Sequence, residues 1–345
     1  MGSMAAAPQL PPHVQLMGLV AGKWMSQPLY VLAELGVADL LADKPRTAAE
    51  LAVVLEVHPD ALGRCMRVAA ALGVLAEEPG GRFSLRPMGE ALRSDVPCSI
   101  RDFTILLGSE PTWASFGAIM HTVRTGAPSF PQVHGTDLFT YLADHPDLAR
   151  AYQGAWASLT DELAPEAAEA YDFGRYPVIA DIGGGHGRML YHLLGAAPAA
   201  RGVLMDRPEV LEAARAALAG TPAYERITFF PGTLPESTPP EADAYLLKNT
   251  LHCFADTDAR AMLRPLAEAL RGRSDARVLV LDTIVPDDAS YHWSKFIDIE
   301  VMVNNGGRER RLDEWTALFD SAGLRLVSVT PVTPPQSLLE VAAAR

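Results

Sequence analysis

The second half of the chain alternates short apolar runs with amphipathic segments. The runs PVIADIG, GVLMD, ITFFPG, DAYLLKN and ARVLVLDTIV are typical of buried strands. Apolar positions at helical spacing separate them over residues 188–194, 209–218 and 258–271. This alternation predicts βαβ units around a mostly parallel sheet, which is an α/β fold. Two further runs, 324–332 and 337–342, flank a Thr-Pro-Pro turn and predict an antiparallel hairpin at the sheet edge.

The first half follows a different pattern. Apolar positions recur at helical spacing over residues 16–41. Thr47 stands three residues before Glu50, which is a capping box that begins a helix. The His58-Pro59-Asp60 break predicts a second helix ending near Gly73. The following stretch, VLAEEPGGRFSLRP, predicts two short strands around a Pro-Gly-Gly turn, so the whole segment indicates a winged helix.

Residues 108–160 predict further helices, with loops at 128–131. This stretch is rich in aromatic side chains, among them Trp113, Phe116, Tyr152 and Trp156. They fit either ordinary core packing or the wall of a pocket for a flat apolar ligand. We therefore divide the chain into an N-terminal domain (1–110), a helical connector lining a substrate pocket (111–170) and a sheet domain (171–345).

Composition excludes several classes of protein. The 345 residues carry a formal net charge of −13, which disfavours binding to a nucleic acid duplex. The three cysteines are widely spaced without a CxxC pair, which disfavours a zinc cluster or a disulfide framework and favours the reducing cytoplasm. The opening MGSM is typical of an expression-tag remnant, and neither a signal peptide nor a membrane span is predicted.

The turn DIGGGHGR follows a predicted buried strand and opens a predicted helix. A dinucleotide fingerprint would need glycine where Arg188 stands, and a phosphate-binding P-loop would need Lys-Ser/Thr after its last glycine. Asp181, just before the turn, would repel a pyrophosphate but suits an ammonium group. Asp206 ends the next predicted strand, where a carboxylate can accept hydrogen bonds from ribose hydroxyls. The pattern favours S-adenosylmethionine over a merely structural glycine turn.

Five motifs appear in a consistent order: DIGGGHGR, LMDRPEVL, DAYLLKNTLHCF, LVLDTIVPDD and NNGGRERRLDEW. Over nearly the whole chain they resemble the class I S-adenosylmethionine-dependent small-molecule O-methyltransferases, which include plant caffeic-acid-type enzymes and actinobacterial tailoring enzymes of antibiotic pathways. The resemblance implies a Rossmann-like methyltransferase domain preceded by an α-helical, winged-helix-like domain. That N-terminal domain would form a homodimer and would not bind DNA. The implied acceptor is a small aromatic molecule, and no metal is required.

The resemblance also assigns residues. His252 would be the general base, with Asp282 and Glu309 holding its ring. Asp181 and the glycine turn would bind the methionine end of S-adenosylmethionine, and Asp206 its ribose. The implied cofactor residues are Asp181, Gly183, Gly185, Gly187, Asp206, Arg207, Gly232, Thr233, Leu234, Lys248, Asn249, Phe254 and Thr160. Among the predicted substrate residues, the resemblance implies Asp298, Asn304 and Asn305. The aromatic stretch, the departures from the family pattern and the apolar character of the expected pocket add Trp113, Phe116, Tyr152, Trp156, Cys253, Glu300 and Met302.

Three departures from the family pattern stand out. Thr233-Leu234 occupy the place where an Asp usually lies near the adenine amino group. Cys253-Phe254 replace the usual Asp-Trp after the histidine, which keeps an aromatic ring but loses the indole donor. Glu300 stands where an Asn or an apolar residue is usual, and could bind an amine or hydroxyl of the acceptor.

Two alternatives remain at this point. One is an N- or C-methyltransferase, or a non-methylating hydroxylase, decarboxylase or pericyclase on the same scaffold. The retained His252, Asp282 and Glu309 disfavour a non-methylating enzyme. The other is a DNA-binding regulator that uses the winged helix, but its recognition segment carries only Arg64 and Arg67 as cations, whereas a groove reader shows a clustered basic face.

Overall fold

The computed structural model describes residues 10–344, so the MGSM segment lies outside the described residues. The chain divides into two compact units between Ser109 and Glu110, and the stretch 111–170 is part of the second. Among residues 10–344, no helix combines the length and apolarity needed to cross a membrane.

The first unit is a helical domain with a small sheet. Thr47 accepts a hydrogen bond from the Glu50 N–H, and the Glu50 carboxylate accepts one from the Thr47 N–H, so the predicted capping box is formed. The three-stranded antiparallel sheet has the order β1-β3-β2, and its β2–β3 hairpin is the predicted wing. The helices are α1 (Pro12–Val20), α2 (Lys23–Glu34), α3 (Val37–Leu41), α4 (Ala48–Leu55), α5 (Pro59–Ala71), α6 (Pro87–Glu90) and α7 (Arg101–Gly108), and the strands are β1 (Arg46–Thr47), β2 (Leu75–Glu78) and β3 (Arg82–Leu85).

The apolar stretch 16–41 is divided among three helices. α1 ends before Gly22, and α2 ends before Gly36, whose φ of +64° lies in the left-handed region that a helix cannot contain. The apolar spacing continues through both breaks, which is why periodicity alone does not locate them.

The second unit contains a seven-stranded sheet of order β6-β5-β4-β7-β8-β10-β9. Strands β4 to β8 pair in parallel, and β10 pairs antiparallel with β8 and β9, which confirms the predicted sheet and its edge hairpin. Short 3₁₀ helices cover Phe173–Arg175, Tyr224–Arg226 and Leu251–Cys253. The remaining elements are α8 (Glu110–Gly117), α9 (Ile119–Thr125), α10 (Ser129–His134), α11 (Leu138–Asp144), α12 (Pro146–Ala170), β4 (Val178–Ile182), α13 (Arg188–Ala196), β5 (Arg201–Asp206), α14 (Pro208–Leu218), β6 (Ile227–Pro231), β7 (Ala244–Lys248), α15 (Asp256–Ala269), β8 (Arg277–Thr283), α16 (Ser294–Asn304), α17 (Leu312–Ser321), β9 (Leu324–Pro331) and β10 (Gln336–Ala343).

Both faces of this sheet are covered. On β8, Val278 and Val280 pack with α15 and α17, whereas Leu279 and Leu281 pack on the other face with α12, α13 and α14. Because successive strand side chains point to opposite faces, a strand covered on both sides has to be apolar throughout. The continuous apolar runs in the sequence therefore follow from the two-sided burial.

Two local expectations change. The loop predicted at 128–131 is instead the start of α10 at Ser129, and Pro131 is accommodated because it falls in the first helical turn, where a backbone N–H has no helical partner. Helices α16 and α17 were not predicted from the sequence. The apolar residues of the α16 sequence SKFIDIEVMVN do not fall on one face of the helix. In the structure Phe296 and Ile299 are exposed, while Val301 and Val303 are buried.

An ionic cluster ties the C-terminal strand to the start of the sheet. Glu340 on β10 is buried and its Oε1 accepts hydrogen bonds from Arg277 on β8 at 2.7 Å and from Arg175 at 2.8 Å. Burial alone would raise the pKa of Glu340. The two guanidinium groups lower the pKa by more than burial raises it, so the net shift is downward.

We expect Glu340→Gln to lower the free energy of unfolding by about 2 kcal/mol at pH 7, because both arginines lose a charged acceptor. A carboxyl whose pKa is lowered on folding stabilises the native state above its unfolded-state pKa and loses that effect as the pH falls through its folded value. The difference from wild type should therefore shrink below about pH 4, when urea unfolding is measured between pH 7 and 3. The exposed Glu212→Gln is the control, and a difference that stayed constant with pH would contradict the prediction.

Candidate active site

A cavity of about 260 Å³ lies in the second unit at the carboxyl ends of the parallel strands. The strand order reverses at β4. In the sheet, β5 and β6 lie on one side of β4, and β7 and β8 lie on the other. Such a reversal leaves a crevice at the carboxyl ends of the strands, where α/β proteins bind ligands. Helices α12 and α16 complete the walls of the cavity.

The glycine turn forms the floor beside β4. Gly183 and Gly185 have φ values of +70° and +57°, and both line the cavity. A Cβ on Gly184 would lie 2.6 Å from Asp181 and 2.5 Å from Leu204, so only glycine fits there. The turn therefore brings bare backbone close to any ligand in the cavity.

Asp206 closes the next strand and is held by two backbone groups. Its Oδ2 accepts a hydrogen bond from the Gly185 N–H at 2.9 Å, and its Oδ1 accepts one from the Arg207 N–H at 2.8 Å. Burial raises the pKa of this carboxyl despite those two bonds. The glycine turn thus orients Asp206, which lines the cavity.

Asp181 is fully buried and faces the cavity, yet neither of its carboxylate oxygens accepts a hydrogen bond from the described part of the chain. Burial raises its pKa to about 7, and Asp206 adds to this, while Lys248 acts in the opposite direction. A buried carboxylate without partners is costly, so the arrangement suits a ligand that brings a cation or hydrogen-bond donors.

Lys248 ends β7 between two acidic residues. Burial lowers the pKa of its ammonium group, and the nearby carboxylates of Asp181 and Asp282 oppose that shift. The next residue, Asn249, lines the cavity with a φ of +49°, which is unusual for a residue other than glycine. The chain therefore turns sharply here, just before the histidine.

His252 lies on the 3₁₀ turn Leu251–Cys253 and lines the cavity. Its Nδ1 is 2.7 Å from Glu309 Oε1 and 3.4 Å from Asp282 Oδ1, and all three side chains are buried. Glu309 also accepts a hydrogen bond from the Thr283 hydroxyl through its other oxygen, Oε2. A carboxylate on Nδ1 keeps the proton there and leaves Nε2 as the nitrogen able to accept another.

The protonation state of His252 depends on its burial and on the charged groups around it. Burial acts to lower its pKa, but Asp282, Cys253 and Glu309 outweigh burial and raise it well above the ordinary value. Burial in turn raises the pKa of Asp282 to about 6, with Glu309 adding to the shift. A cation bound in the same cavity would lower the pKa of His252 again, towards the neutral, proton-accepting form.

The segment 306–310 holds the histidine turn in place. The Arg308 N–H donates to the His252 carbonyl at 2.9 Å. The fully buried Arg310 side chain donates to the carbonyls of Leu251 at 3.1 Å and Phe254 at 2.9 Å. A Cβ on Gly307 would lie 2.0 Å from the His252 carbonyl oxygen, so the two backbones touch directly.

His252, Asp282 and Glu309 also form a group whose ligand atoms lie within 4.8 Å of one another, as a metal site requires. Two ligands on a tetrahedral ion at about 2.1 Å would stand about 3.4 Å apart. The 2.7 Å between Nδ1 and Glu309 is shorter and is a normal charge-assisted hydrogen bond. We interpret the group as an oriented base.

Most of the predicted site residues come together in this cavity. Of the predicted catalytic residues His252 lines it, while Asp282 and Glu309 lie behind the histidine. The predicted cofactor residues that line it are Thr160, Asp181, Gly183, Gly185, Asp206, Arg207, Gly232, Thr233, Leu234, Lys248, Asn249 and Phe254, and the predicted substrate residues that line it are Tyr152, Trp156, Cys253, Glu300 and Asn305.

The other predicted residues lie elsewhere. Gly187 precedes α13 with a φ of +72° and serves the helix start, not the cavity wall. Trp113, Phe116 and Met302 are not among the residues that line the cavity. Exposed fractions of 38% for Trp113 and 36% for Phe116 place them on the surface of the second unit.

Two polar residues predicted to border the substrate lie outside the main cavity. Asp298 lines a second, polar cavity, where its Oδ1 accepts a hydrogen bond from the Glu309 N–H at 2.8 Å, so it supports the carboxylate behind His252 and does not border the main cavity. Asn304 is buried outside the lining and donates to Glu300 Oε1 at 2.9 Å. The family resemblance assigns both Asp298 and Asn304 to the border of the substrate.

The sequence analysis missed several residues of the wall. Gln153, Phe139, Arg188, His186 and Ile297 all line the cavity. Gln153 could have been found, because it is next to Tyr152 and stands on the α12 face that also carries Trp156 and Thr160. His186 and Arg188 could also have been found, because both belong to the DIGGGHGR turn. Phe139 and Ile297 depend on how separate elements pack and leave no signal in local sequence.

Comparison with known proteins identifies the family of the chain. The family model described as the O-methyltransferase domain matches residues 116–325, and the O-methyltransferase dimerisation domain matches residues 17–95. The phenazine O-methyltransferase PhzM of Lysobacter antibioticus is 34% identical over 325 residues, 94% of each chain. The 8-amino-8-demethylriboflavin N,N-dimethyltransferase of Streptomyces davaonensis is 34% identical over 314 residues, 90% of each chain.

The crystal structure of LaPhzM superposes with a TM-score of 0.93 at 33% identity, covering 97% of this chain and all of that one. The predicted arrangement of a dimerisation domain followed by a methyltransferase sheet is therefore confirmed, and so is S-adenosylmethionine as the family's methyl donor. The chain belongs to the S-adenosylmethionine-dependent O-methyltransferase family.

Proposed function

We propose that this enzyme methylates a phenolic hydroxyl of an aromatic or polyketide-like secondary metabolite, with His252 as the general base. The observation that carries the proposal is the buried His252–Glu309 hydrogen bond of 2.7 Å beside the cavity. A base held in this orientation is needed when the acceptor hydroxyl must lose its proton as it attacks the methyl group. We place the activity in the cytoplasm, as the cysteine spacing favours.

The residues of the cavity fit the methyl donor. Asp181 has two unpartnered carboxylate oxygens for an ammonium group, and Asp206 is oriented for a ribose. Gly184 presents bare backbone, since a Cβ there would clash with Asp181 and Leu204. When bound, S-adenosylmethionine supplies an electrophilic methyl group on a sulfonium. We propose that Phe254, Thr233 and Leu234 line the adenine side.

His252 then takes the phenolic proton on Nε2, while Glu309 and Asp282 stabilise the resulting imidazolium through Nδ1. Tyr152 and Trp156 meet edge to face, with ring centroids 5.9 Å apart and an interplanar angle of 71°, and form an aromatic wall that can align the acceptor ring. Alignment and proton removal are what this chain contributes to the displacement.

N-methylation is the second candidate, because one similar protein is an N,N-dimethyltransferase. A neutral amine attacks without first losing a proton, so it needs little help from a base. The buried histidine and its two carboxylates favour O-methylation.

We also propose that the first unit forms a homodimer, as its match to the dimerisation domain supports. In α1 no residue is buried within the chain, and its apolar Leu16, Met17 and Leu19 are 61%, 65% and 79% exposed. Such a surface is stabilised when a second copy covers it.

Replacing the base tests the proposed chemistry. We expect His252→Asn to lower kcat for a phenolic acceptor by about 10²–10⁴-fold, because the acceptor keeps its proton. Affinity for S-adenosylhomocysteine, measured by calorimetry, should stay close to that of wild type. Product would be followed by mass spectrometry with hydroxynaphthalenes and hydroxyphenazines as acceptors. His121→Asn, outside the cavity, is the control, and unchanged turnover in His252→Asn would refute the role of the base.

Asp181→Asn tests the cofactor cradle. We expect the affinity for S-adenosylhomocysteine to fall by about 10- to 100-fold, because the ammonium group loses its anion. The ligand-free variant should be more stable than wild type by on the order of 4 kcal/mol at pH 7, because in wild type the rise of the Asp181 pKa from 3.8 to about 7 on folding costs about 1.4 kcal/mol per pH unit. The pKa of Asp181 is raised on folding, so its ionisation destabilises the native state, and the gain should vanish below about pH 4.

The exposed Asp43→Asn provides the matched control for both measurements. Undiminished binding of S-adenosylhomocysteine by Asp181→Asn would show that the ammonium group is bound elsewhere.

A further inference from the structure

Glu300 is a carboxylate in the chamber that also contains the base. It lies on α16, where Ile297 and Val301, on the same helical face, line the main cavity with it. Burial raises the pKa of Glu300, with the nearby His252 acting against that shift, and burial raises the pKa of Tyr152, with the charge of Glu300 adding to it. The carboxylate is therefore close to both the base and the aromatic wall.

The Glu300 carboxylate is only half satisfied by the protein. Its Oε1 accepts a hydrogen bond from Asn304 Nδ2 at 2.9 Å, and Asn304 is itself buried. Its Oε2 accepts no hydrogen bond from residues 10–344, and no lysine or arginine among them pairs with it. Burial raises the pKa of the group, which reflects the same lack of partners.

A structural role does not account for this side chain. A hydrogen bond to Asn304 one turn along α16 needs one acceptor oxygen, which a glutamine provides without a buried charge. An apolar residue would cost less still beside Ile297 and Val301. What a carboxylate adds is a second, strong acceptor directed into the cavity, and a ligand has to supply its donor.

We propose that Glu300 determines acceptor specificity by binding a second donor, a hydroxyl or an amine, on the aromatic molecule whose phenol is methylated. The acceptor class is then a dihydroxy- or aminohydroxy-aromatic compound. The same negative charge rejects an acceptor that places a carboxylate at this position. This inference rests on the proposed function, because it assigns the second group of the same acceptor.

The test uses pairs of compounds that differ in one donor. Isomers of dihydroxynaphthalene and 3-amino-2-naphthol are each compared with the partner in which the second hydroxyl or amine is replaced by methoxy. Binding to the enzyme saturated with S-adenosylhomocysteine is measured by calorimetry, and turnover with S-adenosylmethionine by mass spectrometry. At least one donor-bearing compound should bind wild type about 10- to 100-fold more tightly than its methoxy partner.

Glu300→Gln should bring that ratio close to one, while the affinity for S-adenosylhomocysteine stays unchanged. Glu300→Met, which keeps the bulk but has no acceptor, should bind the methoxy partner at least as well as wild type does. Glu162→Gln, an exposed change on α12, should preserve the wild-type ratio.

Three results would overturn the proposal. One is that no donor-bearing compound binds more tightly than its methoxy partner, and another is that the ratio survives in Glu300→Gln. The third is that Glu300→Gln weakens S-adenosylhomocysteine as much as the acceptor, which would assign Glu300 to the cofactor. Donor-dependent binding without methyl transfer would instead refute the proposed function and leave this inference standing.

Discussion

The position of the His252 imidazole depends on one contact between two backbone segments. Gly307 passes so close to the His252 carbonyl that a Cβ there would lie 2.0 Å away, and Arg310 ties the carbonyls on either side of the turn. Glu309 lies between these two anchors, so its carboxylate is delivered to Nδ1 by the same packing. The buried arginine and the glycine are thus as necessary to the base as its own carboxylates.

Several carboxylates in and behind the cavity are buried with incomplete pairing. Asp181, Asp206, Asp282 and Glu300 all have pKa values raised chiefly by burial. Of the cations in the described lining, Lys248 acts on Asp181 and Asp282, whereas Arg188 pairs with Asp161 and Arg207 with Glu209. Such a site is costly to form without its ligands, since each carboxylate gives up water for incomplete pairing. The cost falls when a cationic cofactor and a donor-bearing acceptor occupy the cavity, so the residues that bind ligands destabilise the ligand-free protein.

Sequence patterns predict the elements that are covered evenly. The central strands β4, β7 and β8 are mostly apolar and buried because helices cover both of their faces, and the capping box at Thr47 depends only on residues three apart. Prediction fails where the environment is uneven. α16 presents Ile297 and Val301 to a cavity and Phe296 to the surface, so its apolar residues form no single stripe.

The sequence by itself determined the class of fold, and it singled out the glycine turn with Asp181 and the histidine that we propose as the base, because each is carried by residues close together in the chain or by motifs in a consistent order. Only the tertiary structure decided which side chains share the cavity. In the structure Asp298 lies behind Glu309, Asn304 lies behind Glu300, and Trp113 lies on the surface of the second unit. Local sequence records the direction of a side chain along its own helix or strand, whereas the walls of a cavity depend on how those elements pack against one another.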